Sequence, residues 1–251
     1  MPAQELEPEI EAFLLRIVPG LSEQWVGASS DEVAQIERIA GRPLPSFYRW
    51  FLSRMGQCMG PLAYPRFDFS AQRVLDCYAE RLIVAHPCFL FIAESTDELM
   101  PLHLFYELDA PVRADARVTL RHGRGGDLHD QFETLREMLA WGALLQFGVG
   151  RMPQQCEGMF SSNAADVRSQ LAPLLRDHGF TEPVPVGPYC GLYERSDAIV
   201  VCNSALIEGP VDSQMFTLGG DDAGALRKLL GVIATETRLK VAVNEWTPAL
   251  R

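Results

Sequence analysis

Residues 31–60 read DEVAQIERIAGRPLPSFYRWFLSRMGQCMG, and this window encodes two short helices, a proline-bounded corner and a glycine stop. Val33, Ile36, Ile39 and Ala40 form an apolar stripe at helical spacing; Ser29, Ser30 or Asp31 can cap it, and Gly41 ends it. Pro43 and Pro45 forbid continuation. Pro45 suits the first turn of a second helix, where a missing N–H costs nothing, and Phe47, Tyr48, Phe51, Leu52 and Met55 give that helix a buried face before Gly56. The window is an αα corner whose aromatic side requires a core.

Working outward, residues 7–18 carry Ile10, Phe13, Leu14 and Ile17 at helical offsets, and Pro19-Gly20 ends that helix. After the corner, Ser70 can cap a helix whose Val74, Leu75, Tyr78 and Leu82 share a face, closed by His86-Pro87. The spacing then predicts strands over 89–93, 102–108 and 117–120, and a helix carried by Leu128, Phe132, Leu135, Leu139 and Leu145, capped by Asp127 and ending near Gly148 or Gly150. Residues 148–163 mix Gly, Pro, Gln and Ser and read as a linker. Beyond it come a helix bent near Pro173 and ended by Gly179, strands over 189–194, 199–203 and 215–218, a helix over 223–236 capped by Asp221 or Asp222, and a last strand over 239–243. Ser196-Asp197 would turn the first of these strands into the second. The expected organisation is a first domain over 1–147, a linker over 148–163 and a smaller domain over 164–251, both α+β with helices on antiparallel sheet.

Glu37, Gly41, Leu44, Pro45, Tyr48, Phe51 and Gly56 stand at the spacing of the SUKH superfamily signature, and the runs FLFIAES (89–95) and HLFYEL (103–108) and the amphipathic stretch 128–141 follow in that family's order. Residues 25–145 therefore resemble a SUKH domain. Where that family usually carries Asn-Gly-Gly after the second helix, this chain reads Met55, Gly56, Gln57. The resemblance implies a SUKH-like antiparallel sheet with flanking helices. It also implies a protein-binding role: many members are bacterial immunity proteins that neutralise toxins, and fungal relatives regulate cell-wall synthesis.

Composition sets bounds on the rest. With 251 residues and 47% apolar side chains, the chain can bury roughly 70–75% of its unfolded surface without staples. No apolar run reaches the ~18 residues of a membrane helix, and the acidic start MPAQELEPEIEAF lacks the basic-then-apolar order of a signal peptide. The six cysteines show no C-x-x-C pair, which fits reduced thiols in a cytoplasmic protein. Net charge is −11, with 21 acidic and 13 basic residues in positions 1–150 and 12 and 9 in 151–251. Such a field disfavours nucleic acid and anionic membrane and speeds association with a basic protein, for which a toxin such as a nuclease is the expected partner.

Catalytic patterns are few. The segment RHGRGGDLHD (121–130) lacks the Lys-Ser/Thr of a phosphate loop, and His122 and His129, seven apart, do not have helical zinc-ligand spacing. There is no G-x-S-x-G elbow. No cofactor, metal or catalytic residue is expected, and the leading reading is a non-enzymatic binding module. The alternatives are a scaffold or regulatory protein on the same fold, or an enzyme with its site in the C-terminal half. The expected partner-binding residues are Glu94, Asp97, Glu98, Glu107 and Asp109, which flank the two best strands and would rim an apolar centre of Phe91, Leu104 and Phe105.

Overall fold

The computed structural model describes residues 8–97, 99, 101–127, 129–163, 166–205 and 210–248. The chain forms two units, Met1–Leu139 and Ala140–Arg251. The first contains α1 (Pro8–Ile17), α2 (Leu21–Gln24), α3 (Ser30–Ala40), α4 (Ser46–Met55), β1 (Phe67–Asp68), α5 (Ala71–Ala79), β2 (Phe89–Ser95), β3 (Leu102–Val112), β4 (Asp115–His122) and β5 (His129–Phe132). Helix α6 (Leu135–Ala143) contains the dividing point and runs into a π-helical turn, Leu144–Gly148. The second unit contains β6 (Gln154–Ser161), α7 (Val167–Asp177), β7 (Cys190–Arg195), β8 (Ala198–Asn203), β9 (Ser213–Gly220), α8 (Ala223–Glu236) and β10 (Lys240–Thr247). Both units are α+β, each built on a five-stranded antiparallel sheet.

The corner forms for local reasons. Ser29 Oγ accepts from Glu32 N at 3.2 Å while the Glu32 carboxylate accepts from Ser29 N at 2.7 Å, so two orphan donors of α3 are satisfied reciprocally. Gly41, at φ 67°, takes the left-handed position that closes α3. At the start of α4 the capping group comes from elsewhere, because Pro45 has no side-chain acceptor. The carbonyl of Ala114, at the β3–β4 turn, accepts from Phe47 N at 3.0 Å and from Ser46 Oγ at 3.1 Å. The next residue, Asp115, is buried; one carboxylate oxygen accepts from Ala116 N at 2.9 Å and the other from Arg136 N, in the first turn of α6, at 3.0 Å.

The first sheet is a meander in the order β1-β2-β3-β4-β5. Consecutive residues point to opposite faces, so Leu90, paired with Tyr106, and Phe91, paired with Phe105, mark its two sides. Tyr48 of α4 meets Tyr106 edge-on at 5.1 Å, and Tyr78 of α5 meets Phe91 edge-on at 6.1 Å, so these two helices cover opposite faces. In the second unit the order is β10-β6-β9-β8-β7. One face packs Leu171 and Leu175 of α7 and Leu226, Leu230 and Ile233 of α8 on Phe160, Phe216, Val200 and Leu218.

The helix expected to carry Leu82 and close at His86-Pro87 ends at Ala79, and two further stretches differ more from the sequence-based expectation. Residues 148–163, read as a linker, contain β6, which lies between β10 and β9. Its alternation of buried Cys156, Gly158 and Phe160 with exposed Glu157 and Met159 is masked by a glycine at an inward position. That glycine is required, since a Cβ at Gly158 would fall 2.1 Å from the Ala242 carbonyl oxygen and 2.6 Å from the Phe216 ring. The helix expected from Leu128 to near Gly148 begins only at Leu135, because residues 129–132 pair with β4 and Thr134 Oγ1, not Asp127, accepts from Glu137 N at 3.1 Å; its end near Gly148 is as expected. Leu128 lies outside the described residues.

Phe51 is fully buried and stacks near Tyr48 and Phe69. Phe51→Ala is expected to lower the stability of the first unit by about 3–5 kcal/mol in urea titrations followed by aromatic fluorescence; an unchanged midpoint would remove Phe51 from the core. Asp115→Ala strips the buried acceptor from Ala116 N and Arg136 N and should cost about 2 kcal/mol by the same measurement.

Candidate functional site: the corner and the carboxylates of β2 and β3

The seven residues that carry the family resemblance meet in one place, and each has a physical task there. Glu37 Oε1 accepts from Leu44 N at 3.3 Å and from Arg49 Nη2 at 2.6 Å, tying α3 to the turn and to α4. Gly41 supplies the positive φ, Leu44 is buried, Pro45 starts α4, and Tyr48 and Phe51 enter the core. Gly56 admits a close approach, since a Cβ there would lie 2.5 Å from the Leu52 carbonyl oxygen and 2.7 Å from Ala28 Cβ. These residues build the scaffold and present little surface of their own.

The acidic residues expected to form a binding rim are placed differently from that expectation. Glu94 accepts both arms of the Arg73 guanidinium, from Nε at 2.5 Å and from Nη2 at 2.7 Å, which pins α5 to β2. Asp97 accepts from Leu99 N at 2.9 Å and lies 3.8 Å from Arg66. Glu107 faces Arg117 across the β3–β4 ladder, 3.7 Å away. Asp109 accepts from Arg42 Nη1 at 2.8 Å, while Arg42 also donates to the carbonyls of Leu108 and Pro87. Glu98 lies outside the described residues.

Strand register separates these groups. Glu94 stands near the end of β2 and Asp97 just beyond it, whereas Glu107 is paired with Phe89 at its beginning. Five residues of strand put Glu94 and Glu107 roughly 16 Å apart along the sheet. Phe91, Leu104 and Phe105, expected as an apolar surface centre between them, are buried in the core. The arginine partners were not legible in the sequence, because Arg73 and Glu94 are 21 residues apart and Arg42 and Asp109 are 67 apart.

The Arg73 hydrogen bonds hold the Glu94 carboxyl below its ordinary range against the opposing effect of burial. Cys77 Sγ lies 3.8 Å from Glu94 Oε1, and burial first, then the Glu94 charge, push its thiol up to about 11. A thiol so shifted is a poor nucleophile. His103 Nδ1 accepts from Ser95 N at 3.1 Å, and the ring meets Phe91 at 5.6 Å; burial holds its pKa below 6.5 even though Glu94 pulls the other way. The Asp109 carboxyl is held low by a hydrogen bond from Cys88 and then by Arg42. Among the described residues, no three His, Cys, Asp or Glu side chains converge as metal ligands, and no helix is long and apolar enough to cross a membrane. The His122 and His129 segment forms the end of β4, a glycine loop and β5, with Arg121 lying over the Phe89 ring at 4.7 Å.

Compared with known proteins, the chain matches no family model and no curated sequence.

Glu94 and His103 give the first unit a defined acid response. Both folded pKa values lie below the unfolded ones of 4.5 and 6.5, so each group's stabilisation is complete above its unfolded value and is lost as pH falls through its folded value. The melting temperature is therefore expected to fall as pH drops below 6.5, first through His103 and then, below 4.5, through Glu94. In His103→Gln the earlier part of this decline should flatten; a parallel pH profile in that variant would show that His103 does not carry it.

Proposed function

We propose that this chain is a non-enzymatic protein-binding module, an immunity protein that neutralises a bacterial toxin by occluding it. The observation that carries the reading is the corner itself. Glu37, Gly41, Leu44, Pro45, Tyr48, Phe51 and Gly56 form one bonded and packed unit beside an antiparallel sheet, and this supports the SUKH reading. The net charge of −11 supports a basic partner, because it raises the rate of encounter at low salt. Protection in the cytoplasm then requires slow dissociation, which buried anchors at the interface provide.

The test is growth. The C-terminal domain of the protein encoded immediately upstream of this chain is expressed inducibly, with and without the chain. Restored growth, together with a complex of the two purified proteins whose association slows as salt rises, is the expected result. A folded chain that neither restores growth nor binds that domain would end the immunity reading.

A further inference from the structure

The sheet of the second unit has a second face, opposite α7 and α8, and it is only partly covered. Over one part, Gly148 sits against Ile199 Cδ1 while Val149 and Met152 close on Gly219, and Ile199 and Val201 are buried. Over the strands β10, β6 and β9 the same face is open. Ala242, Met159 and Met215 lie side by side in register across these three strands. Met159 is 37% and Met215 49% exposed, and Ala242 is exposed. One rung along, Glu245 stands directly opposite Glu157, both exposed, and among the described residues neither has a cationic partner.

The β-bulge between Val243 and Glu245 is what brings Glu245 to this side. Without the extra residue it would point to the opposite face from Ala242. Like charges directly opposite one another destabilise a sheet. The contrast is with the four described carboxylates of β2 and β3 discussed above, each of which has an arginine within 4 Å. A pair of carboxylates about 5 Å apart at Cβ is a seat for a guanidinium. Methionines beside it supply polarizable, adaptable apolar contact of the kind enriched at protein interfaces.

We propose that this strip, Met159, Met215 and Ala242 flanked by Glu157 and Glu245, is where the chain docks its protein partner, and that the partner presents an arginine beside an apolar side chain. The inference rests on the protein-binding reading above and gives it a surface, on the second unit and not on the carboxylates of β2 and β3.

The probe is a dodecapeptide alternating Arg and Leu, titrated against the full chain by fluorescence anisotropy at low salt. Glu157→Gln/Glu245→Gln and Met159→Thr/Met215→Thr are each expected to weaken binding at least tenfold. The melting temperature of the glutamine pair should rise, because a repulsion is removed. Asp177→Asn/Glu236→Gln, which removes the same charge from α7 and α8, should bind as the wild type does. Equal weakening by that control, or full-strength binding by both strip variants, overturns the proposal. So does a wild-type dimer in sedimentation that Met159→Thr/Met215→Thr converts to monomer, since the strip's occupant is then a second copy. In the growth assay, rescue by wild type and by all strip variants alike overturns the surface and leaves the immunity reading intact. Failure of the wild type to rescue, with tight and strip-dependent peptide binding, ends the immunity reading and leaves the surface standing.

Discussion

The carbonyl of Ala114 and the carboxylate of Asp115, neighbours at the β3–β4 turn, serve the N-termini of two helices, α4, which has no side-chain cap, and α6, which Thr134 also caps. A helix start leaves four backbone donors without intrahelical acceptors. At α4 the N-cap is proline, so Ala114 accepts from Phe47 N and Ser46 Oγ; at α6 Asp115 accepts from Arg136 N. The turn itself holds Arg113 at φ 56°, a left-handed conformation unfavourable to a side chain with a Cβ. The αα corner, the β3–β4 hairpin and the beginning of α6 therefore depend on one another, and the aromatic contacts of Tyr48 with Tyr106 and of Phe51 with Phe69 follow from that placement.

Charge is used in two ways. In the first unit the carboxylates of β2, β3 and the loop after β2 are matched by arginines that come from α5, the turn before β1, β4 and the corner loop, so part of the acidic excess acts as cross-links between elements. Partly exposed ion pairs of this kind are worth little singly. The bidentate Arg73–Glu94 pair is the better placed of them, with side chains 30% and 25% exposed. On the open face of the second sheet, Glu157 and Glu245 are placed against each other instead. Net charge and the local pairing of carboxylates are therefore separate properties of the molecule, one belonging to composition and the other to strand register.

The sequence by itself determined the elements whose signals lie within a turn or two of chain. Ser29 with Glu32, Ser70 and Asp222 cap the helices they precede, Gly41 and Gly179 take positive φ near helix ends, and the stripes of α4 and α8 face the core. Their interactions span a few residues, so their partners are fixed by spacing alone. The tertiary structure decided what depends on register. It made β6 a central strand despite Gly158, turned residues 129–132 into an edge strand where helical periodicity was legible, gave each described carboxylate of β2 and β3 its arginine, and put Phe91, Leu104 and Phe105 inside. A one-residue slip along a strand moves a side chain from core to solvent, and what sets that slip is contact with strands and helices tens of residues away.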